Sequence, residues 1–378
     1  MRSSFRSRSH AARRAVAVTA GAFALAGASA FAQDNAQQAA ADEAATDVLQ
    51  EVIVTAQKRE ESLQETPIAI TAFSAQTLET QRVNNVVDLL NKEPSLNLAP
   101  FAGTRVAPNL FIRGMGNLNS QSTKDNATGI YIDGVPVGRS IGLATDIADL
   151  ERVEVLRGPQ GTLWGRNTTA GAINFITRKP DDQFSVAAQL TAGSWDLRSG
   201  RARINAPITD KLFARLAYMR TENEGWVENL NTALPNQINF NEDRKKEAVR
   251  AALRFEATEA LTFDYAFDSS KMIYGNHFYQ IIAGPNAVPG RQESVNRIRG
   301  LNPSDTEVAG HNLTVTWELG SATLKSISAY RDLDSRTNMN FVDIFTQDNA
   351  QAQHQFSEEL QLVGDTLNDR IKYAVGLF

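Results

Sequence analysis

The sequence predicts an α+β domain followed by antiparallel strands of a transmembrane β-barrel, and three observations carry this prediction. Residues 60–180 mix short strand patterns with one helical pattern and glycine-rich turns. Residues 181–378 alternate apolar and polar side chains in repeated runs. The connections between these runs alternate between short and long, as expected when hairpins turn tightly on one side of a membrane and extend on the other.

Each run in residues 184–378 requires an apolar environment on one face of the strand and water on the other face. In one example, Leu261, Phe263 and Tyr265 oppose Thr262 and Asp264. A soluble β-sandwich alternates in the same way, so the loop lengths decide in favour of a barrel. The short connections lie at 207–211, 258–260, 319–321 and 364–369, the long polar ones lie at 222–244, 271–306 and 332–352, and one outer connection, 194–197, is short.

Two runs fit the alternation poorly. Residues 321–330 have no clean apolar face, and Glu358 falls on the predicted apolar face with Phe356, Leu360 and Leu362. A carboxylate facing lipid is tolerable near an interface and costly at the membrane centre. Register breaks and bulges both remain open as explanations.

Nine strand patterns fill residues 184–378, and the ninth reaches the last residue of the chain. Single-chain bacterial barrels have even strand numbers and no exposed edges, because unpaired backbone groups in lipid are costly. We therefore expect an incomplete barrel, with nine strands of about 22 in the complete transporter.

The N-terminus has the layout of a secretory signal peptide. A start with five arginines and no acidic residue precedes an alanine-rich apolar stretch and the small-x-small pattern that ends at Ala32. An amphipathic helix is the alternative for residues 1–32. Residues 33–50 are small and polar, which predicts a flexible tether. The net charge of −5 becomes more negative without the leader, which argues against a nucleic-acid partner.

The α+β domain is predicted to begin with a strand and a helix. Residues 67–73 alternate like a strand, and residues 75–90 have helical spacing interrupted near Asn84 and Asn85. Further short strands are predicted at 109–113, 129–132, 151–156 and 172–177.

Four segments carry a resemblance to a known family. They are EVIVTAQKR (51–59), LFIRGMG (110–116), GIYIDGVPV (129–137) and the long segment 150–180, which begins LERVEVLRGPQG. In this order, behind a signal peptide and before alternating strands, they resemble the TonB-dependent outer-membrane receptors. The resemblance implies a TonB-box region at 51–59, an α+β plug domain at 60–180 and the first part of an outer-membrane barrel at 181–378.

The TonB box implied by the resemblance is formed by Glu51, Val52, Ile53, Val54, Thr55 and Ala56. Three β-branched residues after a flexible tether suit strand addition to the sheet edge of a partner. The alternative is that this segment is an ordinary first strand of the plug.

The plug motifs combine glycines, which permit tight turns, with charged residues. They are Arg113, Gly114, Asp133, Gly134, Arg157, Gly158, Gly161 and Gly165. We expect Arg113, Arg157 and Arg166 to pair with the lumen-facing carboxylates of Asp264, Asp268 or Glu318, and solvated surface arginines are the alternative. The glycines do not form a phosphate loop, because GPQGTLWG lacks the required Lys-Ser/Thr.

The sequence offers no catalytic, cofactor or metal site. It has no cysteine, and its four histidines are scattered without metal-ligand spacing. We therefore do not expect an enzyme.

The family resemblance implies energy-coupled import at the bacterial outer membrane. The partners are the periplasmic domain of TonB with its inner-membrane partners, outer-membrane lipid, and a ligand that is preferably a ferric siderophore. An oligosaccharide or cobalamin remains open as the ligand, and so does a non-transporting surface or secreted binding module. Aromatic and basic groups suit a ferric chelate, and the candidate ligand loop holds Tyr274, His277, Phe278, Tyr279 and Arg291.

Overall fold

The computed structural model describes residues 52–89, 92–99, 105–117, 125–139, 141–142, 146–231, 237–296, 302–366 and 370–378. The predicted signal peptide, the tether and Glu51 lie outside these residues. The described chain contains an N-terminal α+β domain (residues 52–177) and one large antiparallel sheet.

The N-terminal domain is built from short strands around two buried apolar clusters. Its strands are β1 (Ile53–Val54), β2 (Glu61–Ser62), β3 (Ile70–Ser74), β4 (Leu96–Ala99), β5 (Asn109–Ile112), β6 (Met115–Gly116), β7 (Thr128–Ile132), β8 (Val135–Pro136), β9 (Leu150–Arg157) and β10 (Gly171–Thr177). They form a five-stranded sheet in the order β3-β9-β10-β7-β8, a three-stranded sheet β4-β5-β6 and the pair β1-β2. Strand β10 is buried along its whole length because both of its faces are covered.

The first helix is shorter than its periodicity predicts. Helix α1 (Ala75–Gln81) begins at Ser74, whose side chain accepts a hydrogen bond from the Thr77 amide, and ends at Arg82 in a left-handed conformation. The predicted interruption near Asn84 and Asn85 is confirmed, and the described part of the pattern beyond it forms a short 3₁₀ turn at Val87–Leu89 instead of an α-helix. The Asn85 side-chain oxygen accepts from the Val87 and Asp88 amides, which stabilises a turn instead of a helix. Helix α2 (Gly161–Trp164) is a single turn.

The large sheet confirms the nine predicted strands. They are β11 (Ser185–Gly193), β12 (Leu197–Thr209), β13 (Leu212–Asn223), β15 (Asp243–Thr258), β16 (Leu261–Tyr274), β18 (Ser304–Glu318), β19 (Ala322–Phe341), β20 (Phe345–Thr366) and β21 (Ile371–Leu377). Every neighbouring pair is antiparallel. Two further short strands, β14 (Glu228–Asn229) and β17 (Ser294–Val295), pair with each other in the long connections.

The predicted loop at 332–352 is wrong. Strands β19 and β20 continue through it and turn only between Phe341 and Phe345, where the two residues pair directly. The segment is polar on both faces, so it lacks the apolar stripe by which a strand is found in sequence.

Glu358 lies on the outward face without a register break. Strand β19 pairs in unbroken register with β18 and β20, which excludes the bulges considered for these two strands. The hydroxyls of Ser326 and Ser328 on β19 donate to the Glu358 carboxylate. The polar residues that blur the alternation in β19 therefore satisfy the carboxylate.

One face of the large sheet packs against the N-terminal domain, and the other exposes apolar side chains. Ala148 of the domain packs against Ala217, Met219 and Ala248, and elsewhere Val135 packs against the sheet. On the opposite face Leu190 is 88% exposed and Phe356 is 70% exposed. None of the helices in the described ranges is long and apolar enough to cross a membrane.

Candidate functional site

The segment 52–56 is docked on the N-terminal domain. Val54 and Ala56 are buried in a cluster that includes Tyr131, Leu156 and Trp164. Strand β1 pairs only with the equally short β2 in a two-stranded sheet, so it lies outside the main sheet of the domain. The segment is therefore a short strand attached to the surface of the domain, intermediate between the two alternatives that the sequence left open.

Two polar contacts hold this segment in place. The Thr55 amide and hydroxyl donate to the fully buried carboxylate of Glu154 on β9, at 2.9 Å and 3.1 Å. The Trp164 indole N–H donates to the Ala56 carbonyl oxygen at 2.9 Å. The carboxylate of Glu154 also accepts from Arg152 Nε at 2.9 Å, which balances its buried charge.

Lys58, two residues after this segment, connects it to the large sheet. Its ammonium lies 3.1 Å from the carboxylate of Glu359 on β20 and 4.4 Å from the centre of the Trp164 ring. Burial lowers the pKa of Lys58, and the neighbouring Glu359 carboxylate opposes this effect. Displacement of the segment must therefore break a largely desolvated ion pair.

The signature glycines and their neighbours form turns. Arg113 and Gly114 have positive φ between β5 and β6, and Asp133 and Gly134 have positive φ between β7 and β8. Two consecutive residues with positive φ suit a tight hairpin, where glycine avoids the steric cost of a Cβ atom. Gly158 and Gly165 also have positive φ, and Gly161 starts α2.

The ion pairs expected for the domain arginines are wrong. Arg157 pairs with Glu93 of its own domain at 3.7 Å, and Arg113 and Arg166 are exposed. The expected carboxylates have other partners: Asp264 pairs with Arg254 and Lys179, Asp268 pairs with Arg331, and Glu318 accepts from Thr323. Sequence spacing within one strand does not show which strand lies next to it.

Four ion pairs between the domain and β12, β13 and β15 have the opposite charge arrangement to the one expected. Their carboxylates come from the domain and their cations from the sheet: Glu79 with Arg203, Asp133 with Arg250, Asp146 with Lys246, and Asp149 with Arg215. Asp133 also accepts from the Thr177 amide and hydroxyl, so one carboxylate fixes both a turn and the sheet. Lys246, Arg250 and Arg254 recur every fourth residue on one face of β15, a signal in the sequence that could have revealed this interface.

Arg105 anchors the domain beneath two long connections of the sheet. Its guanidinium donates to the carbonyl oxygens of Glu242 and Gly275, at 3.0 Å and 3.1 Å, and lies 2.8 Å from the Asp243 carboxylate. It also lies over the ring of Tyr274. No sequence pattern indicated this role, because these partners lie more than a hundred residues away in the chain.

The residues of the candidate ligand loop differ in their burial. Tyr274 is fully buried against Val106 and Met272, so it is wrong as a surface contact in this arrangement. His277 contacts Asn241 at 3.1 Å, and Phe278 packs edge-on against Phe240. Tyr279 stacks on Phe341 while partly exposed, and Arg291 is exposed. His277, Phe278 and Tyr279 are all partly exposed and Arg291 is exposed, so these four residues remain candidates and their role stays a prediction.

No group of three or more His, Cys, Asp or Glu side chains able to hold a metal ion occurs in the described ranges. The arrangement contains a docked N-terminal segment, a domain linked by ion pairs to one face of an antiparallel sheet, and an apolar outward face. These features are those of a plug-type domain packed against part of an antiparallel β-barrel.

Comparisons with known proteins identify the family. Residues 62–172 match the family model of the TonB-dependent Receptor Plug Domain. The chain is 29% identical over 214 residues to the iron-regulated outer membrane virulence protein of Vibrio cholerae, covering 52% of this chain and 30% of the relative. It is 30% identical over 164 residues to the ferripyoverdine receptor of Pseudomonas aeruginosa, covering 42% of this chain and 19% of that receptor.

The fold agrees with this match. The crystal structure of the ferric yersiniabactin uptake receptor FyuA from Yersinia pestis superimposes with a TM-score of 0.70 at 21% identity, covering 82% of this chain and 47% of that one. The match covers less than a third of the length of each curated relative above. Residues 62–172 therefore belong to the plug-domain family of the TonB-dependent receptors, and the relatives and structural neighbours of the chain are outer-membrane β-barrel receptors.

Proposed function

We propose that this receptor takes up a ferric siderophore across the outer membrane, driven by a TonB-type partner that pulls on the segment 52–56. One observation carries the proposal. The segment is a short strand at the start of the plug, attached to the plug core by a few directed contacts and partly exposed, with Ile53 at 39%. A strand of this kind can be recruited to the sheet edge of a partner.

The orientation of β1 supports strand addition. The Val52 carbonyl oxygen accepts from the Leu63 amide at 2.9 Å. In an antiparallel ladder the backbone groups of alternate residues point to opposite sides, so those of Ile53 point away from β2. A partner strand would pair on that side without first breaking the β1–β2 pair.

The contacts of the segment also define a path for force. A pull on residues 52–58 acts on Glu154 in β9 and on Trp164 between β9 and β10, and these two strands lie inside the five-stranded sheet. The same pull separates Lys58 from Glu359. The force therefore reaches the plug core and one plug–wall ion pair together.

The relatives favour iron as the cargo. One is named for its iron regulation and another for ferripyoverdine. Tyr279 and Arg291 suit the aromatic and anionic groups of a ferric chelate. An oligosaccharide or cobalamin as cargo, and a surface module that binds without transport, are the alternatives that the experiment separates.

The test compares two substitutions at Ile53 in the receptor expressed from its own gene in iron-starved cells. Ile53→Pro removes the N–H on the side away from β2, and Ile53→Thr keeps it. We expect Ile53→Pro to lower energised uptake of radioactive iron from catecholate and hydroxamate chelates by at least about tenfold, because strand addition needs that N–H. Binding to cells in the cold should be unchanged.

Three results would contradict the proposal. Uptake by Ile53→Pro equal to that by Ile53→Thr would exclude strand addition at this edge. If expression of the gene is unchanged by iron limitation and induced by a glycan, a ferric siderophore is excluded as the cargo. Binding without energised uptake by the unsubstituted receptor would favour the surface module.

A further inference from the structure

The inward faces of β12, β13 and β15 carry a row of cations. Lys246, Arg250 and Arg254 follow one another at every fourth residue of β15, about 13 Å apart, because a strand rises about 3.3 Å per residue. Arg215 lies on β13, and Arg201 and Arg203 lie on β12. We call these six residues the cationic wall.

The counter-ions of this wall belong mostly to the plug. Asp146 lies 3.0 Å from Lys246, Asp133 lies 3.0 Å from Arg250, Glu79 lies 2.6 Å from Arg203, and Asp149 pairs with Arg215. Arg201 donates to the amide oxygen of Asn84, also in the plug. Within the wall only Arg254 has its carboxylate on the sheet, at Asp264. Displacement of the plug would therefore leave five of the six cations without their present partners.

The interface between the plug and the cationic wall also contains a cavity and a hydrogen-bond donor that is not used. A cavity of about 190 Å³ lies between the plug and β11–β13, and Glu79, Asp149, Arg201 and Arg203 line it. Within the described ranges the buried Nε of Arg250 has no hydrogen-bond partner. A desolvated cation deprived of its counter-ion is costly, so a wall of this kind favours any anion that replaces the plug carboxylates.

We propose that the cationic wall is the surface along which an anionic ligand passes, with the plug carboxylates acting as removable counter-ions. The proposal rests on the proposed function and deepens it, since it assigns a net negative charge to the cargo at the moment of passage. An anionic chelate exchanges with carboxylates at each position of the wall, whereas a neutral solute leaves the cations uncompensated. Anions should therefore promote opening of this interface even without a partner protein.

The test uses the absence of cysteine from residues 1–378, and any cysteine in the receptor outside these residues is replaced with serine. Ala217→Cys then places a single thiol at a buried position that lines the cavity. The rate of its maleimide labelling is measured on the whole receptor in detergent, in sodium citrate and in sodium chloride at equal ionic strength. We expect citrate to accelerate labelling several-fold, because a trivalent anion competes for the wall.

Three further variants separate an anion surface from a purely structural ion pair. Arg203→Gln should reduce the citrate acceleration by at least half. The exchange Glu79→Arg with Arg203→Glu keeps the ion pair and inverts the charge of the wall at position 203. It should therefore reduce the citrate acceleration as strongly as Arg203→Gln does. Arg198→Gln on the outward side of the same strand, where Arg198 pairs with Asp196, is the matched control and should respond like the receptor with Ala217→Cys alone.

Equal labelling in citrate and chloride, including no labelling in either, would overturn the proposal. A charge exchange that restores the full citrate response would also overturn it, because the pair would then be merely structural. Failure of the proposed function is seen separately in the iron-uptake experiment with Ile53→Pro. A citrate response in a receptor that takes up no iron would support the cationic wall and exclude a ferric siderophore as the cargo.

Discussion

At the scale of single residues, Glu154 organises the attachment of the segment 52–56. Its side chain is fully buried and accepts hydrogen bonds from Thr55 and Arg152. A buried carboxylate is stable only when such partners satisfy it. Each donor that is lost should therefore weaken the docking of the segment more than a comparable loss on the surface.

Thr55→Val tests this dependence. The substitution removes the hydroxyl that donates to Glu154 and preserves the branched shape, so docking should weaken by about 1.5–3 kcal/mol, the usual range for a hydrogen bond to a charged group. Faster hydrogen exchange at the Val54 and Ala56 amides would report it. Thr162→Val, at an exposed position of α2, is the control and should leave exchange unchanged. Unchanged exchange in Thr55→Val would show that apolar burial alone holds the segment.

At the scale of elements, the two long outer connections fold as one unit. Strands β14 and β17 pair across them, and Val227, Ile238, Phe240 and Val295 form a shared apolar cluster. A Cβ atom on Gly275 would lie 1.8 Å from the Asn239 carbonyl oxygen, so the close approach of the two connections requires glycine. Two loops that look independent in sequence therefore pack as one unit.

His277 makes this unit sensitive to pH. Burial lowers its pKa to about 4, and the positive charge of Arg105 adds to the effect. The undocked loop has the ordinary pKa of 6.5 and takes up a proton first, so docking is at full strength above pH 6.5 and weakens as the pH falls towards 4. The loss at low pH should reach about 3 kcal/mol, since each pKa unit corresponds to about 1.4 kcal/mol.

Hydrogen exchange at residues 227–231 and 294–296 across this pH range measures the effect. Exchange corrected for its intrinsic pH dependence should accelerate between pH 6.5 and 4 in the unsubstituted receptor. His277→Asn has no titrating ring and should show a flat profile. A fall of equal size in His277→Asn would assign the pH response to other groups.

At the scale of the whole molecule, the plug is held by ion pairs along one face of the sheet, and Arg105 joins its outer end to the two long connections. Both charges of the Arg105–Asp243 pair are largely buried. Removal of one partner from such a pair typically costs about 3–5 kcal/mol, because the remaining charge stays desolvated. Asn223 still donates to Asp243, which places the expected cost at the lower end of that range.

Arg105→Met should therefore release the plug before the barrel strands unfold. In urea, hydrogen exchange should show the plug strands β7, β9 and β10 losing protection at a lower concentration than in the unsubstituted receptor, with the protection of β15 and β16 unchanged. Arg139→Met is the matched control, because Arg139 forms an exposed pair with Asp125 within the plug and such pairs contribute at most about 1 kcal/mol. A parallel loss of protection in plug and strands would contradict a separate release.

Much of the fold could be read from the sequence because its signals are local. Alternation along a strand directly indicates which face contacts an apolar environment, so nine strands and their short turns were predicted correctly. The signal failed at residues 332–352 of β19 and β20, where polar side chains on both faces leave no apolar stripe. The interruption near Asn85 was visible in the sequence, whereas the 3₁₀ turn that follows it was not.

The sequence by itself determined the architecture, the family and the extended segment at 52–56, because periodicity, turn residues and contiguous motifs are properties of neighbouring residues. The tertiary structure alone decided the charge partners: that Asp133 meets Arg250, that Lys58 meets Glu359, and that Arg105 lies beneath two loops. It also moved Tyr274 from a predicted ligand contact to the interior. The physical reason is that ion pairing and burial depend on which strands lie side by side. The number of residues between two positions in the chain does not reveal how close they lie in space.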